Sequence, residues 1–259
     1  NLAQVEELSR TALAVSERAF GPDHPDVARA LNQLAMVVER QGRGEEALRL
    51  QERALDINIQ SDGLESSGTQ IVLSNLANLL ARMGRHEEAL ARHMSTIAPL
   101  EQRLGPQHPL LSRAYRACGN NYRDMKRFKE AQPYLLKALA ILESRQDDPY
   151  GYLTGTWIDL GRNWVDLKQP RKAVEVLELA VANRSGSKQT AGERAFSRYS
   201  LARALWEANL DRPRALQLAE EAREMFTGMG ERYVKVVVEL DAWRASLPRP
   251  SKVPASGAR

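Results

Sequence analysis

An all-α solenoid, built from antiparallel helix pairs that stack on one another, is the fold that the sequence predicts. The first observation behind this prediction is a period of 42 residues, which five alanines keep: Ala47, Ala89, Ala131, Ala173 and Ala215. A fixed period of about 20–50 residues is typical of chains in which each unit buries its apolar face only against neighbouring units. The second observation is the apolar spacing within a unit, which is that of a helix.

Each unit begins with one amphipathic helix and continues with another. In the first full unit, apolar residues stand at positions 27, 28, 31, 34, 35 and 38. This spacing follows one face of a helix and not the alternation of a strand. A break follows at Gln41-Gly42-Arg43-Gly44, after which a second helix carries Glu46-Ala47-Leu48. The unit is therefore predicted to be a helix–turn–helix pair.

Other positions keep the same period and define the predicted core. Two rows hold mostly large apolar residues: Leu31, Leu73, Tyr115, Trp157 and Tyr199, and Val38, Leu80, Tyr122, Trp164 and Trp206. A third row holds Leu34, Leu76, Cys118, Leu160 and Ala202. Cys118 is therefore predicted to fill the core, as a free cysteine commonly does. A row of small residues lets the helices of a pair cross closely: Ala35, Ala77, Gly119 and Gly161.

The order of the elements follows from this register. Residues 1–20 match a second helix with no first helix before it, so we expect a half repeat and a chain that is part of a longer protein. Five full repeats are predicted at 21–62, 63–104, 105–146, 147–188 and 189–229. A helical pattern at 231–247 is predicted to cap the stack. Residues 248–259 contain three prolines, three cations and no acid, which predicts a flexible basic tail.

The later repeats depart from the pattern of the first two. Lys126 and Lys168 replace the glycine of the turn, and Arg203 stands in the row of small residues. Pro170 is predicted to start a second helix early. We therefore expect the fourth and fifth repeats to pack differently from the others.

The repeated motif is large-x-x-Leu-Ala/Gly-x-x-large, then Gly-Arg-x-Glu-Glu-Ala, then an alanine seven residues later. It closely resembles the tetratricopeptide repeat (TPR). The segments at 21–28 and 105–109, which lead into first helices, resemble the 42-residue kinesin-light-chain subtype that is common in bacterial proteins. The resemblance covers residues 1–247. It implies a right-handed superhelix of about twelve antiparallel helices that acts as a non-catalytic protein–protein interaction module or scaffold.

The resemblance also implies that the first helices of the repeats line a concave groove. It names ten candidate peptide-binding residues: Arg29, Asn32, Asn75, Asn78, Arg82, Arg113, Arg116, Asn120, Arg123 and Arg162. The predicted groove is mainly basic in repeats one to three, whereas repeats four and five carry Arg162 against Asp159, Asp166 and Glu207. Arginine matches carboxylates, and asparagine amides bond to peptide backbone. We therefore predict that an acidic, extended or short helical segment of a partner binds repeats one to three.

Three other interpretations stay open. Arginines are also typical of an ordinary solvated helix surface. The pattern at 218–226, with Gly228, Gly230 and the segment 239–243, resembles the TPR-bearing C-terminal region of myxobacterial serine/threonine kinases. That resemblance implies a regulatory part of a kinase or of a nucleotide-driven sensor. Finally, the unpaired apolar edge of the half repeat would allow a homodimer.

Composition and motifs argue against several other classes. No apolar run approaches the ~18 residues that span a bilayer, so we expect a cytoplasmic protein without a membrane segment. The net charge is only +4, and most Trp and Tyr residues fall in core rows, which argues against nucleic-acid binding. His86 and His93 lack Cys or carboxylate neighbours at metal-ligand spacing. No nucleophile or phosphate-loop motif is present, so no metal, cofactor or catalytic site is predicted.

Overall fold

The computed structural model describes residues 2–144, 151–183 and 189–247. These residues form twelve α-helices, one 3₁₀ turn at Glu231–Tyr233 and no strand. The helices are α1 (Leu2–Phe20), α2 (Pro25–Arg40), α3 (Gly44–Asp62), α4 (Ser67–Arg82), α5 (His86–Leu104), α6 (Pro109–Asp124), α7 (Phe128–Glu143), α8 (Tyr152–Asp166), α9 (Pro170–Ala182), α10 (Ala191–Glu207), α11 (Arg212–Gly228) and α12 (Val234–Ser246). Consecutive helices pack on each other along the chain. The predicted all-α solenoid is confirmed.

Polar side chains fix the starts of several first helices. Nδ1 of His24 accepts a hydrogen bond from the backbone N–H of Asp26 at 3.2 Å, and Nδ1 of His108 accepts one from that of Leu110 at the same distance. In both helices a proline follows the capping histidine, where its missing N–H costs nothing. Thr190 starts α10 with a capping box. The two linker histidines therefore have a structural role as helix caps.

The turns within the repeats keep one geometry despite their different residues. Gly42 and Gly84 adopt a left-handed backbone with φ of 81° and 77°, and Lys126 and Lys168 adopt the same region with φ of 59° and 61°. The second helices of the five repeats begin at Gly44, His86, Phe128, Pro170 and Arg212, so each start lies 42 residues after the previous one. The expectation that Pro170 starts its helix early is therefore wrong. The turn tolerates lysine because tertiary packing holds the register.

The core consists of the rows that share the 42-residue period. The five repeated alanines are fully buried, and so are the residues of the third row, Leu34, Leu76, Cys118, Leu160 and Ala202. Burial raises the pKa of the Cys118 thiol to about 12, so the side chain stays a neutral core filler as predicted. The aromatic members of the two large rows are only half-buried.

The row of small residues lies where the two helices of a pair meet. A Cβ added to Gly119 would lie 2.7 Å from the side chain of Leu135, and one added to Gly161 would lie 2.4 Å from that of Leu177. The equivalent pair in the fifth repeat is Arg203 and Ala219, in which the large and the small residue have changed places. One small residue in each pair, on either helix, is thus enough to allow the close crossing.

A repeated set of ion pairs lies at the start of the second helices α3, α5 and α7. Arg43 binds Glu6 of α1, Arg85 binds Glu45, and Arg127 binds Glu87, at 3.0, 3.2 and 2.9 Å. Each of these arginines also binds the glutamate three residues after it. The contacts tie each second helix to the second helix of the preceding repeat.

The stack ends with α12, which packs through the buried Leu240. An aromatic cluster of Phe196, Phe226 and Tyr233 lies beneath it, with ring centroids 4.9–6.2 Å apart. The predicted capping segment therefore begins as a 3₁₀ turn and becomes α-helical only at Val234. The predicted flexible tail, 248–259, lies outside the described residues.

Candidate functional site

The ten predicted groove residues lie on four of the first helices, α2, α4, α6 and α8. Each of α2, α6 and α8 also contacts the first helix of the next repeat. Side chains on neighbouring first helices therefore meet across repeats, and these contacts decide which of the predicted residues remain available to a ligand.

In repeats one and two, most of the predicted residues are paired with each other or with nearby acids. Nδ2 of Asn75 donates to Oδ1 of Asn32 at 2.9 Å. Arg82 binds Glu39 at 2.5 Å. Arg29 binds Asp26 at 2.8 Å and keeps a side chain that is 70% exposed.

Arg113 is held by neutral acceptors. Its Nη2 donates to the hydroxyl of Ser74 and, at 3.4 Å, to the backbone carbonyl of Gln70. No carboxylate lies within ion-pair distance of Arg113 in the described ranges. The full charge of its guanidinium therefore lacks an acidic partner.

Arg116 is fixed against the next repeat by an acid and a glycine. Its Nε donates to Oδ2 of Asp159 at 2.6 Å, and Nδ2 of Asn120 donates to the same oxygen at 2.8 Å. The guanidinium lies over Gly155, where an added Cβ would come within 2.6 Å of it. Burial alone would raise the pKa of Asp159, but the charges of Arg116 and neighbouring arginines outweigh it and hold this pKa below its ordinary value.

A second cross-repeat pair follows two helical turns further on. Nη2 of Arg123 donates to Oδ2 of Asp166 at 2.9 Å, and the Arg123 side chain is only 9% exposed. The acids that make the predicted groove of repeat four acidic thus neutralise arginines of repeat three. Arg116 and Arg123 are therefore paired with acids of this chain, and their charges are less available to a ligand.

A cleft of about 340 Å³ opens between α4, α5 and α6, and we call it the central cleft. It contains four predicted residues, Asn78, Arg113, Arg116 and Asn120, and it is completed by Ser74, Ala77, Ala81, His93, Ala117, Asn121 and Asp124. Asn78 is exposed there. Asn78, Arg116 and Asn120, which are hydrogen-bonding residues predicted to recognise a peptide, therefore share this cleft with Arg113.

Sequence reasoning missed one titratable group of the central cleft, His93, as a site component. Burial and the nearby charge of Arg113 lower the pKa of His93 to about 4, so its imidazole is neutral at pH 7. Burial also raises the pKa of Asp124, against the opposing charges of Arg123 and His86. The repeat register could have drawn attention to His93, because it stands in the position where the third and fourth repeats have Leu135 and Leu177.

The remaining predicted residue, Arg162, lies in a different place. It lines a cleft of about 50 Å³ between α8, α10 and α12, which we call the C-terminal cleft. Its other lining residues are Val165, Phe196, Tyr199, Ser200, Arg203, Val236 and Glu239. The structure therefore places Arg162 beside Arg203, which was predicted only as a packing exception, while Arg162 stays near enough to Arg123 to sense its charge.

Stacked helix pairs with polar clefts along their first helices define a helical-repeat solenoid. The family model described as Tetratricopeptide repeat matches residues 1–60 and 68–144, which is more than half of the chain. The chain belongs to the tetratricopeptide repeat family. The predicted kinesin-light-chain-like resemblance is confirmed by the solved structures that it matches. A comparison with curated proteins finds no match.

Three solved structures illustrate the likeness. BtubC (BKLC) from P. vanneervenii is 14% identical with a TM-score of 0.72, and the match covers 100% of this chain and 98% of that one. A kinesin light chain TPR-like repeat protein of Podosopora anserina is 23% identical with a TM-score of 0.61, over 80% and 97%. A Rap protein complexed with competence and sporulation factor is 18% identical with a TM-score of 0.56, over 85% and 65%. At these identities the likeness shows the fold.

Two searches of the described ranges concern membranes and metals. None of the helices there combines the length and apolarity needed to cross a bilayer. Nor do three or more His, Cys, Asp or Glu side chains in these ranges come together in a way that could hold a metal ion.

Proposed function

We propose that this chain is a non-catalytic protein-interaction module whose central cleft binds an acidic peptide segment of a cytoplasmic partner. The observation that carries the proposal is Arg113, a cleft arginine whose partners among the described residues are a hydroxyl and a carbonyl. A guanidinium without a carboxylate in a partly enclosed site favours an incoming anion, because the cleft excludes part of the water that would screen the pair.

Arg116 supplies a second contact to the same ligand. Its Nε is committed to Asp159, while its two Nη groups have no acceptor within the described part of the chain. The guanidinium is already oriented by Gly155 and Asp159, so little conformational entropy is lost when a ligand carboxylate binds it. Arg113 and Arg116, which lie on consecutive turns of α6, would together hold an acidic side chain of the ligand.

Amide groups of the cleft suit the backbone of that peptide. Asn78 is exposed on α4, and Oδ1 of Asn120 is buried without a hydrogen-bond partner. An amide can both donate to a peptide carbonyl and accept from a peptide N–H. An unsatisfied buried oxygen costs free energy that a ligand N–H would recover. The Rap complex with competence and sporulation factor supports partner binding by a protein of this fold.

Selection from a displayed library of random dodecapeptides tests the proposal. We expect the selected peptides to be enriched in Asp and Glu, and we expect a synthetic selected peptide to bind more weakly as salt rises, because screening weakens the ion pairs. Arg113→Gln should reduce its affinity at least tenfold, since Gln keeps a donor for Ser74 but loses the charge.

The matched control is Arg171→Gln, which removes an equally charged but exposed side chain on α9. It should leave peptide affinity unchanged. Peptides without an excess of acids, or peptides that bind Arg113→Gln as tightly as the natural chain, would exclude the proposal.

A second candidate function is homodimerisation through α1. Leu8, Val15 and Phe20 on this helix are 71%, 59% and 55% exposed, and α1 has no buried residue. Val5, Leu8 and Val15 share one face of the helix, so a second copy could cover them as a continuous apolar strip.

A further inference from the structure

The C-terminal cleft differs from the central cleft in position and in composition. It lies at the end of the stack, where α12 supplies Val236 and Glu239 to a wall that is otherwise built by α8 and α10. Two arginines and the hydroxyl-bearing residues Tyr199 and Ser200 belong to the lining. Its volume of about 50 Å³ is much smaller than the 340 Å³ of the central cleft, which suits a ligand group no larger than a few water molecules.

Arg162 has no acidic partner in direct contact. The described residues place no carboxylate within ion-pair distance of it, and its guanidinium lies 5.9 Å from the centre of the Phe196 ring. Burial lowers the pKa of Arg162, and the charges of Arg123 and Arg203 lower it further, against Asp159 and Asp166. A positive charge in these surroundings is therefore incompletely compensated.

Arg203 is also incompletely paired. Its Nε is buried without a hydrogen-bond acceptor, and its Nη2 approaches Glu207 only to 3.7 Å. The position belongs to the row that otherwise holds Ala35, Ala77, Gly119 and Gly161. Opposite Ala219 the packing calls for a large side chain but not for a charged one, so the charge of the guanidinium is not explained by the requirements of the stack.

We propose that the C-terminal cleft binds an oxyanion between Arg162 and Arg203. Guanidinium groups offer forked donors that match the paired oxygens of phosphate and carboxylate groups. An oxyanion between the two arginines would give the buried Nε of Arg203 an acceptor and would relieve the repulsion between the two like charges. The ligand is either dissolved phosphate or a carboxylate carried by a protein partner.

Glu239 sets the strength of this site. It lines the same cleft from α12 but forms no ion pair with either arginine in the described residues. Its negative charge therefore opposes an incoming anion. Removing this charge should tighten binding, which distinguishes a true anion site from a cleft that merely loses its shape on mutation.

Calorimetric titration of the purified chain with sodium phosphate, and separately with sodium acetate, tests the site at constant ionic strength. We expect saturable binding at one site per chain. Saturation by phosphate identifies dissolved phosphate as the source, and saturation by acetate alone identifies a carboxylate. Absence of saturable binding of both anions would overturn the proposal.

Three variants locate the binding. Arg162→Met and Arg203→Met keep an unbranched side chain as long as the arginine stem but remove the charge, and each should weaken binding at least tenfold. Glu239→Gln should tighten it about fivefold, as expected for loss of one nearby repulsive charge. The control Arg171→Met should bind like the natural chain. Unchanged binding by Arg162→Met and Arg203→Met, or no gain from Glu239→Gln, would also overturn the proposal, whatever the outcome of the peptide selection for the central cleft.

Discussion

Glycines on α8 show how a single missing side chain places a neighbour. Gly155 leaves room for the guanidinium of Arg116, whereas Gly161 leaves room for the buried side chain of Leu177. The first neighbour is the far end of a long flexible chain, and the second is branched and fully buried. The two glycines should therefore respond differently to the same substitution.

We expect Gly161→Ala to lower the free energy of unfolding by about 1–3 kcal/mol, because the added methyl overpacks the core. Gly155→Ala should change it by less than about 1 kcal/mol, since Arg116 can move and alanine favours the helix. It should nevertheless weaken peptide binding in the central cleft by displacing Arg116. Urea unfolding of both variants, with peptide titration of Gly155→Ala, checks the contrast. Equal destabilisation by the two substitutions would contradict it.

His93 makes stability depend on pH. Its pKa is about 4 in the folded chain and 6.5 ordinarily, so the unfolded chain binds more protons between these values. Stability should therefore be constant above about pH 6.5 and fall by about 2–3 kcal/mol as the pH drops towards 4. His93→Gln, which introduces the residue found at the equivalent Gln51, should remove this part of the dependence. Urea unfolding at pH 7, 6 and 5 measures the difference, and identical pH profiles would rule it out.

At the scale of elements, two kinds of ion pair join neighbouring repeats. The pair of Arg123 with Asp166 lies between the first helices α6 and α8 and is shielded from water. The pair of Arg127 with Glu87 lies between the second helices α5 and α7, with side chains that are 41% and 70% exposed. Solvent screening makes exposed pairs weak, while breaking a shielded pair leaves an uncompensated charge.

Arg123→Met should therefore destabilise the chain by about 2–3 kcal/mol, and Arg127→Met should destabilise it clearly less. The double variant Arg123→Met with Asp166→Asn should recover part of the loss, because the stranded acid is removed. Chemical unfolding of the three variants and the natural chain measures these differences. A larger loss for Arg127→Met than for Arg123→Met would contradict the expected order.

The elements themselves could be predicted from the sequence, but their pairing could not. The helices follow the 42-residue period and the apolar spacing, which a sequence displays directly. The role of Arg116 depends on Asp159, which belongs to another repeat and faces it only once the helices stack. His93 contributes from a second helix, so a rule that takes site residues from first helices alone omits it. Arg203 was noticed as an exception in a packing row, whereas its charge matters because α12 and Arg162 lie beside it.

At the scale of the whole molecule, the two ends of the stack differ. The C-terminal end is covered by α12 through Leu240, whereas α1 exposes an apolar strip at the other end. Sedimentation should show a particle of about twice the 29.0 kDa chain mass if two copies cover this strip. Leu8→Glu should then return the mass to that of one chain, because a charge in an apolar interface is costly. The control Val238→Glu alters a residue that is 61% exposed on α12 and should leave the dimer intact. A single-chain mass for the natural protein would exclude this interface.

Five cross-repeat contacts of the first helices share one spacing, which has a wider use. Asn32 with Asn75, Glu39 with Arg82, Gln70 with Arg113, Arg116 with Asp159 and Arg123 with Asp166 are all separated by 43 residues. That separation exceeds the repeat length by one. Arg82, Arg116 and Arg123 are each paired with an acid that stands 43 residues before or after them. Arg113 and Arg162 have no acid at either distance, and neither forms an ion pair within the described residues. Subtraction along the chain would thus predict candidate cross-repeat partners for first-helix arginines in other proteins built on a 42-residue repeat, before any coordinates are known.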